Sequence, residues 1–158
     1  MMNERTFPQL SDRTPDTMTP TEHSQIVMAA HDYIDGWYTG DTARMRRALH
    51  PALAKRIQTA DSTGTLTVAD MSARELIDRT AAGTGTADPT RRADVRVLDV
   101  FGRAAAVRID ASGWVDYLHL IHTPDGWKII NVLWERRQPA SNPVNAAAPA
   151  PAAATATQ

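Results

Sequence analysis

Residues of about 20 to 137 predict one α+β domain, with helices first and a four-stranded antiparallel meander ending at Trp134. Three observations carry that expectation. An apolar stripe at helical spacing opens the domain. Period-two alternation of apolar residues fills its C-terminal half. Pro124-Asp125-Gly126 joins the two most regular of those runs as a hairpin.

The first helix has a start signal in Thr19-Pro20-Thr21-Glu22, a capping box with proline at the first helical position. Ile26, Ala30, Tyr33, Ile34 and Trp37 then recur on one face, and Gly40 suits the C-cap. Asp41 is placed to cap a short second helix through Met45, Ala48 and Leu49. His50-Pro51 is expected to end it, because a residue before proline avoids the α region. Residues 55–59 and 65–68 read as a short hairpin. Ser72-Ala73-Arg74-Glu75 is a second capping box, opening a helix with Leu76, Ile77 and Ala81 that Gly83 stops; residues 84–90 are loop. Val95, Val97 and Val100 mark a strand with a bulge near Leu98, where apolar parity changes. Ala105, Val107 and Ile109 alternate in the next strand, Ser112-Gly113 turns the chain, and residues 114–123 and 127–136 form the last pair.

The flanks differ in composition. Residues 1–18 are polar and are expected to form a disordered or loosely attached arm, leaving 19–137 as the domain. Residues 138–158 are rich in Ala and Pro with almost nothing large to bury, and are expected to be a disordered tail.

Composition excludes several function classes. With no cysteine, a disulfide scaffold, a thiolate zinc site and a cysteine nucleophile are excluded. The formal net charge of −1 does not fit a nucleic-acid binder. No stretch is long and apolar enough to span a membrane, and the N-terminus has no apolar targeting core, so a cytoplasmic location is expected. The five histidines (His23, His31, His50, His119, His122) show no metal-ligand spacing, so neither a metal nor a cofactor is expected.

Neither face of the last hairpin is simply polar, so both are expected to be covered. With a three-residue Pro-Asp-Gly loop, His119 faces Asn131. One face then carries Val115, Tyr117, His119, Ile121, Trp127, Ile129, Asn131 and Leu133; the other carries Trp114, Asp116, Leu118, Leu120, His122, Lys128, Ile130, Val132, Trp134 and Arg136. Charges gather on the second face. It is therefore assigned outward, to a homodimer interface, and the first is assigned to the interior, around a pocket. A two-residue Asp125-Gly126 loop shifts the pairing by one and puts His119 with Ile130, Val132 and Trp134 instead.

The order of these signals resembles a known superfamily. Tyr33-Ile34-Asp35-Gly36-Trp37-Tyr38-Thr39-Gly40-Asp41, Leu49-His50-Pro51, Val115-Asp116-Tyr117-Leu118-His119-Leu120 and the final Gly126–Trp134 strand are similar to nuclear transport factor 2-like proteins, within them the SnoaL-like and putative lumazine-binding groups. The resemblance covers about residues 21–136 and implies a cone: a strongly curved mixed or antiparallel sheet wraps the first helix and leaves a pocket at the open end. It also implies a homodimer through the outer sheet face. It does not fix an activity, since members include isomerases, dehydratases, epoxide hydrolases and pockets without a known reaction. The Tyr, protonated Asp and carboxylate base of ketosteroid isomerases cannot be placed on this chain.

Candidate site residues follow from the inward face. His119 is the leading acid/base candidate and His50, at the pocket rim, the second. Tyr33 and Trp37 would wall the pocket, and Tyr117 and Asn131 would orient a polar group of the ligand. Asp116 becomes a candidate base if the parity is reversed. The primary reading is a binding domain for a small apolar or aromatic molecule. The alternative is a cofactor-independent isomerase, cyclase or dehydratase using His119, and a third is a dimerising accessory module.

Overall fold

The computed structural model describes residues 20–137; the expected arm, tail and Thr19 cap lie outside the described residues. Among the described residues three helices and six strands follow one another: α1 (Pro20–Thr39), α2 (Thr42–Ala48), β1 (Leu49–Ala60), β2 (Leu66–Ser72), α3 (Ala73–Ala81), β3 (Ala93–Phe101), β4 (Ala104–Ala111), β5 (Trp114–Thr123) and β6 (Gly126–Arg136). The strands form one curved, open sheet in the order β2-β1-β6-β5-β4-β3. The β3–β6 meander is antiparallel as expected. The pairing of β1 with β6 is parallel, so the sheet is mixed.

Local signals account for the helices. Gly40 follows α1 at φ +72°, a left-handed conformation that glycine adopts without Cβ strain. The Asp41 carboxylate accepts from the N–H groups of Ala43 and Arg44 at 2.9 and 3.0 Å and starts α2. The Ser72–Glu75 capping box is complete. Two details differ from expectation. The second helix stops at Ala48, and His50 and Pro51 lie in β1 rather than at a helix end. In α3 the third buried position is Thr80, whose hydroxyl donates to the Leu76 carbonyl at 2.8 Å; Ala81 is exposed.

The core lies between α1 and the inner sheet face. Ile26, Ala30, Tyr33, Ile34 and Tyr38 of α1 pack with Met45, Leu53, Leu76, Val107, Ile109, Leu118, Leu120, Ile129 and Val132. Each fully buried aliphatic side chain contributes about 1.5–3 kcal/mol of transfer free energy.

Two bulges set which residues face this core. In β3 the pairing skips Leu98, between Val97 and Asp99, as the parity change foretold. In β6 a second skip leaves Ile130 unpaired. The hairpin loop is neither of the two expected: it is Pro124-Asp125, with Thr123 opposite Gly126 and His122 opposite Trp127. After the Ile130 bulge, however, His119 again lies opposite Asn131. Trp127 and Ile129 before the bulge, and Val132 after it, are therefore all buried.

The inward assignment of the first face is corrected for β5. Asp116, Leu118 and Leu120 are buried, while Tyr117 is 41% exposed and His119 is also exposed. Charge on the second face was the misleading signal. Asp116 is charged in sequence but matched by a cation inside.

Candidate functional site

A cavity of about 340 Å³ opens between α1, α3 and the inner ends of β1, β5 and β6. Pockets of a few hundred Å³ accept small organic ligands. Tyr33 and Ile34 of α1, Lys55 of β1 and Leu76 of α3 form its buried floor. Trp37, Met71, Trp114 and Trp134 are half-buried walls, and exposed Arg79, Thr84, Gly113 and Arg136 surround the mouth.

The walls depend on a close approach. Gly85, in the turn after α3, is buried against Trp37; a Cβ there would lie 2.4 Å from the Trp37 carbonyl oxygen and 2.5 Å from its ring. The turn thus holds the indole in place because position 85 has no side chain.

A polar group sits in the floor. Lys55 shares the inward parity of Leu53 and Ile57 on β1, and Asp116 that of Leu118 on β5. Lys55 Nζ lies 3.1 Å from Asp116 Oδ1 and donates to the Tyr33 hydroxyl at 2.5 Å. Tyr33 in turn donates to Asp116 Oδ2 at 3.3 Å, and Trp114 Nε1 donates to the same oxygen at 2.7 Å. Asp116 is fully buried and the Lys55 side chain is 10% exposed. Removing such charges from water is costly, and the three hydrogen bonds to one carboxylate offset that cost. Burial and the Asp116 charge push the Tyr33 hydroxyl well above its ordinary pKa, so it remains a neutral donor. The Lys55 ammonium has three N–H donors. Two are used here, and the cation lies 5.1 Å from the Trp134 ring centre. The third is left for the cavity that Lys55 lines.

The expected site residues divide into two groups. Tyr33 and Trp37 line the cavity. Tyr117, His119 and Asn131 are on the outer sheet face, which corrects their assignment to the pocket. There, His119 Nδ1 lies 3.1 Å from Asn131 Nδ2, and Arg56 donates to Asn131 Oδ1 at 3.2 Å. Arg108 lies over the Tyr117 ring at 5.8 Å. His50 accepts from the Ala52 N–H at 3.1 Å beside a separate, more open pocket of about 570 Å³ between β1 and α3. Sequence reasoning missed Lys55 entirely, and reached Asp116 only under the reversed parity. A lysine at an inward position between Leu53 and Ile57 was the available signal.

Among the described residues no cluster of His, Cys, Asp and Glu could hold a metal ion, and no helix is long and apolar enough to cross a membrane.

The family described as "Putative lumazine-binding" matches residues 21–135. No curated protein matches the chain. Among solved structures, a nuclear transport factor 2-like protein of unknown function from Shewanella baltica OS155 is 21% identical with a TM-score of 0.60, over 78% of this chain and 100% of that one. Another of unknown function, from Methylobacillus flagellatus KT, is 16% identical with a TM-score of 0.61, over 80% and 100%. A "putative dehydratase" of the same fold family from Streptomyces avermitilis is 16% identical with a TM-score of 0.50, over 77% and 100%.

Proposed function

This chain belongs to the putative lumazine-binding family of the nuclear transport factor 2-like superfamily, and from that premise we propose that it binds a small apolar or aromatic molecule in the cavity between α1 and the sheet. One observation carries the reading: aromatic walls from Trp37, Trp114 and Trp134 enclose a space of about 340 Å³ above the Lys55–Tyr33–Asp116 group. A mostly apolar concavity with a few convergent polar groups is the usual construction of a ligand site. The test is direct, because three of the walls fluoresce. Aromatic and heterocyclic compounds are screened by tryptophan quenching and thermal shift. The reading expects saturable quenching that Trp134→Leu weakens; a broad library without a single saturable binder would remove it.

A second reading, a cofactor-independent isomerase, cyclase or dehydratase, is favoured by the 2.5 Å contact of Lys55 with Tyr33 at the cavity floor. Acid–base work there belongs to Lys55 and Tyr33 rather than His119, since a proton donor must reach the bound substrate. Following each binder by NMR for chemical change or solvent-deuterium uptake separates the two readings.

The outer face fits a second copy of the chain. The register puts Asp70, Arg56, Leu133, Tyr117 and Arg108 in one row across the sheet, with Val68 paired to Gln58 and Glu135 paired to Val115 nearby. Leu133 and Val68 are 55% and 64% exposed. Apolar centres with both signs of charge beside them are self-complementary under a two-fold axis.

A further inference from the structure

The charges around the cavity point to a ligand more definite than "aromatic". The lining includes three cations, Lys55, Arg79 and Arg136, and no Asp or Glu. The three are not equivalent. Lys55 is neutralised by Asp116 at 3.1 Å, so the floor carries no net charge. An anion pushed against it would leave one buried charge unmatched, which is costly. A neutral oxygen acceptor would instead use the remaining Lys55 N–H.

The mouth differs. Neither Arg79 nor Arg136 has a carboxylate within ion-pair distance among the described residues. Glu75, one turn before Arg79, is held by the Ser72 hydroxyl and N–H at 2.9 and 2.8 Å. Arg136 lies 5.7 Å from the Trp134 ring centre, which keeps its guanidinium beside the cavity wall. Guanidinium groups are suited to planar, bidentate recognition of carboxylates.

We propose that the ligand is a planar aromatic acid, bound with a neutral oxygen acceptor on Lys55 and its anionic group at the mouth between Arg79 and Arg136. This rests on the cavity being the binding site. Fused-ring aromatic acids with a polar oxygen at the far end belong to the class; cations and fully apolar polycycles do not.

The test uses three probes on the full chain, read by tryptophan quenching: 6-hydroxy-2-naphthoate, its amide 6-hydroxy-2-naphthamide, and 2-naphthoate. The hydroxy acid is expected to bind tightest. It should lead the amide by about tenfold, the order expected of two partly exposed ion pairs. It should also lead unsubstituted 2-naphthoate, which lacks the oxygen for Lys55. The double variant R79Q/R136Q changes only exposed side chains, so the fold should persist, and it should abolish the preference for acid over amide. Raising salt should have the same effect in the parent protein. Equal affinity for acid and amide, or a preference that survives in R79Q/R136Q, overturns the anionic-ligand inference and leaves the cavity as a binding site. Failure of all three probes to quench at millimolar concentration overturns both.

Discussion

Lys55 and Asp116 meet at 3.1 Å on the inner face of the sheet although β6 runs between their strands. The two side chains meet across that strand, with the Lys55 ammonium 5.1 Å from the Trp134 ring centre, and the contact ties β1 to the meander. The pair is buried, so losing one partner should be far worse than losing both. Asp116→Ala is expected to cost about 3–5 kcal/mol, because it strands an ammonium in the interior. Replacing both with apolar residues of similar size, as in K55M/D116L, should recover most of that loss. Urea denaturation of K55M, D116L and K55M/D116L gives the coupling directly. Additive losses would show that the pair does not act as a unit.

That pair also shows what was legible in the sequence. The Ser72–Glu75 capping box, the Asp41 cap and periodicity located the helices and the meander, because those signals are local. The bulge at Leu98 was legible for the same reason, since Val97 and Val100 cannot share a face without it. An equivalent signal exists in β6, where Ile129 and Val132 are both buried around an unpaired Ile130. It was hidden by Ile130 itself, which is apolar and fits either parity. Two departures then cancelled. The loop is one residue shorter than expected and the bulge restores one residue, so His119 meets Asn131 on the outer rather than the inner face. The parallel β1–β6 pairing that delivers Lys55 is long-range, and no local pattern encodes it.

His119 is accordingly a discriminating control. It is exposed beside Asn131 and is not among the residues that line the cavity. His119→Ala should leave ligand affinity within about twofold and stability within about 0.5 kcal/mol, as is usual for surface changes away from special features. A large loss of affinity on titration would place the functional site on the outer face instead.

Gly85→Ala should have a larger effect than its single methyl group implies. The added Cβ would meet backbone and ring atoms of Trp37 at 2.4–2.5 Å, so either the turn or the indole must move. Overpacking of this kind costs about 1–3 kcal/mol. A lower Tm together with a shifted tryptophan emission maximum is the expected result. An unchanged spectrum would mean that the turn yields and the cavity wall does not.

Acid should destabilise the protein through Asp110. Hydrogen bonds from Arg108 and Arg137, at 2.8 and 2.7 Å, hold its carboxyl well below the ordinary value of 3.8 against the opposing effect of burial. A depressed folded-state pKa means stability that is fully present above about pH 4 and is lost as pH falls through the folded value. Urea midpoints should therefore decline below about pH 4. In Asp110→Asn that part of the decline should vanish, with the loss already present at neutral pH. A variant with the parent's full acid slope would assign the effect to other carboxylates, Asp32 with its Arg44 and Arg47 partners first among them.

The outer face supplies the last prediction. Tyr117 and Leu133 are direct cross-strand partners, and both remain substantially exposed on a single chain. An apolar pair flanked by Arg56 and Arg108 should be covered when two copies associate. Sedimentation velocity at micromolar concentration is expected to show a dimer for the parent chain and a monomer for Leu133→Asp, which places a charge at the centre of the apolar row. Leu133 belongs to neither the core cluster nor the cavity lining, so the variant should retain its Tm at dilute concentration and its tryptophan quenching by ligand. A parent chain that sediments as a monomer would remove the outer face as a self-association surface and leave the proposed function to the pocket.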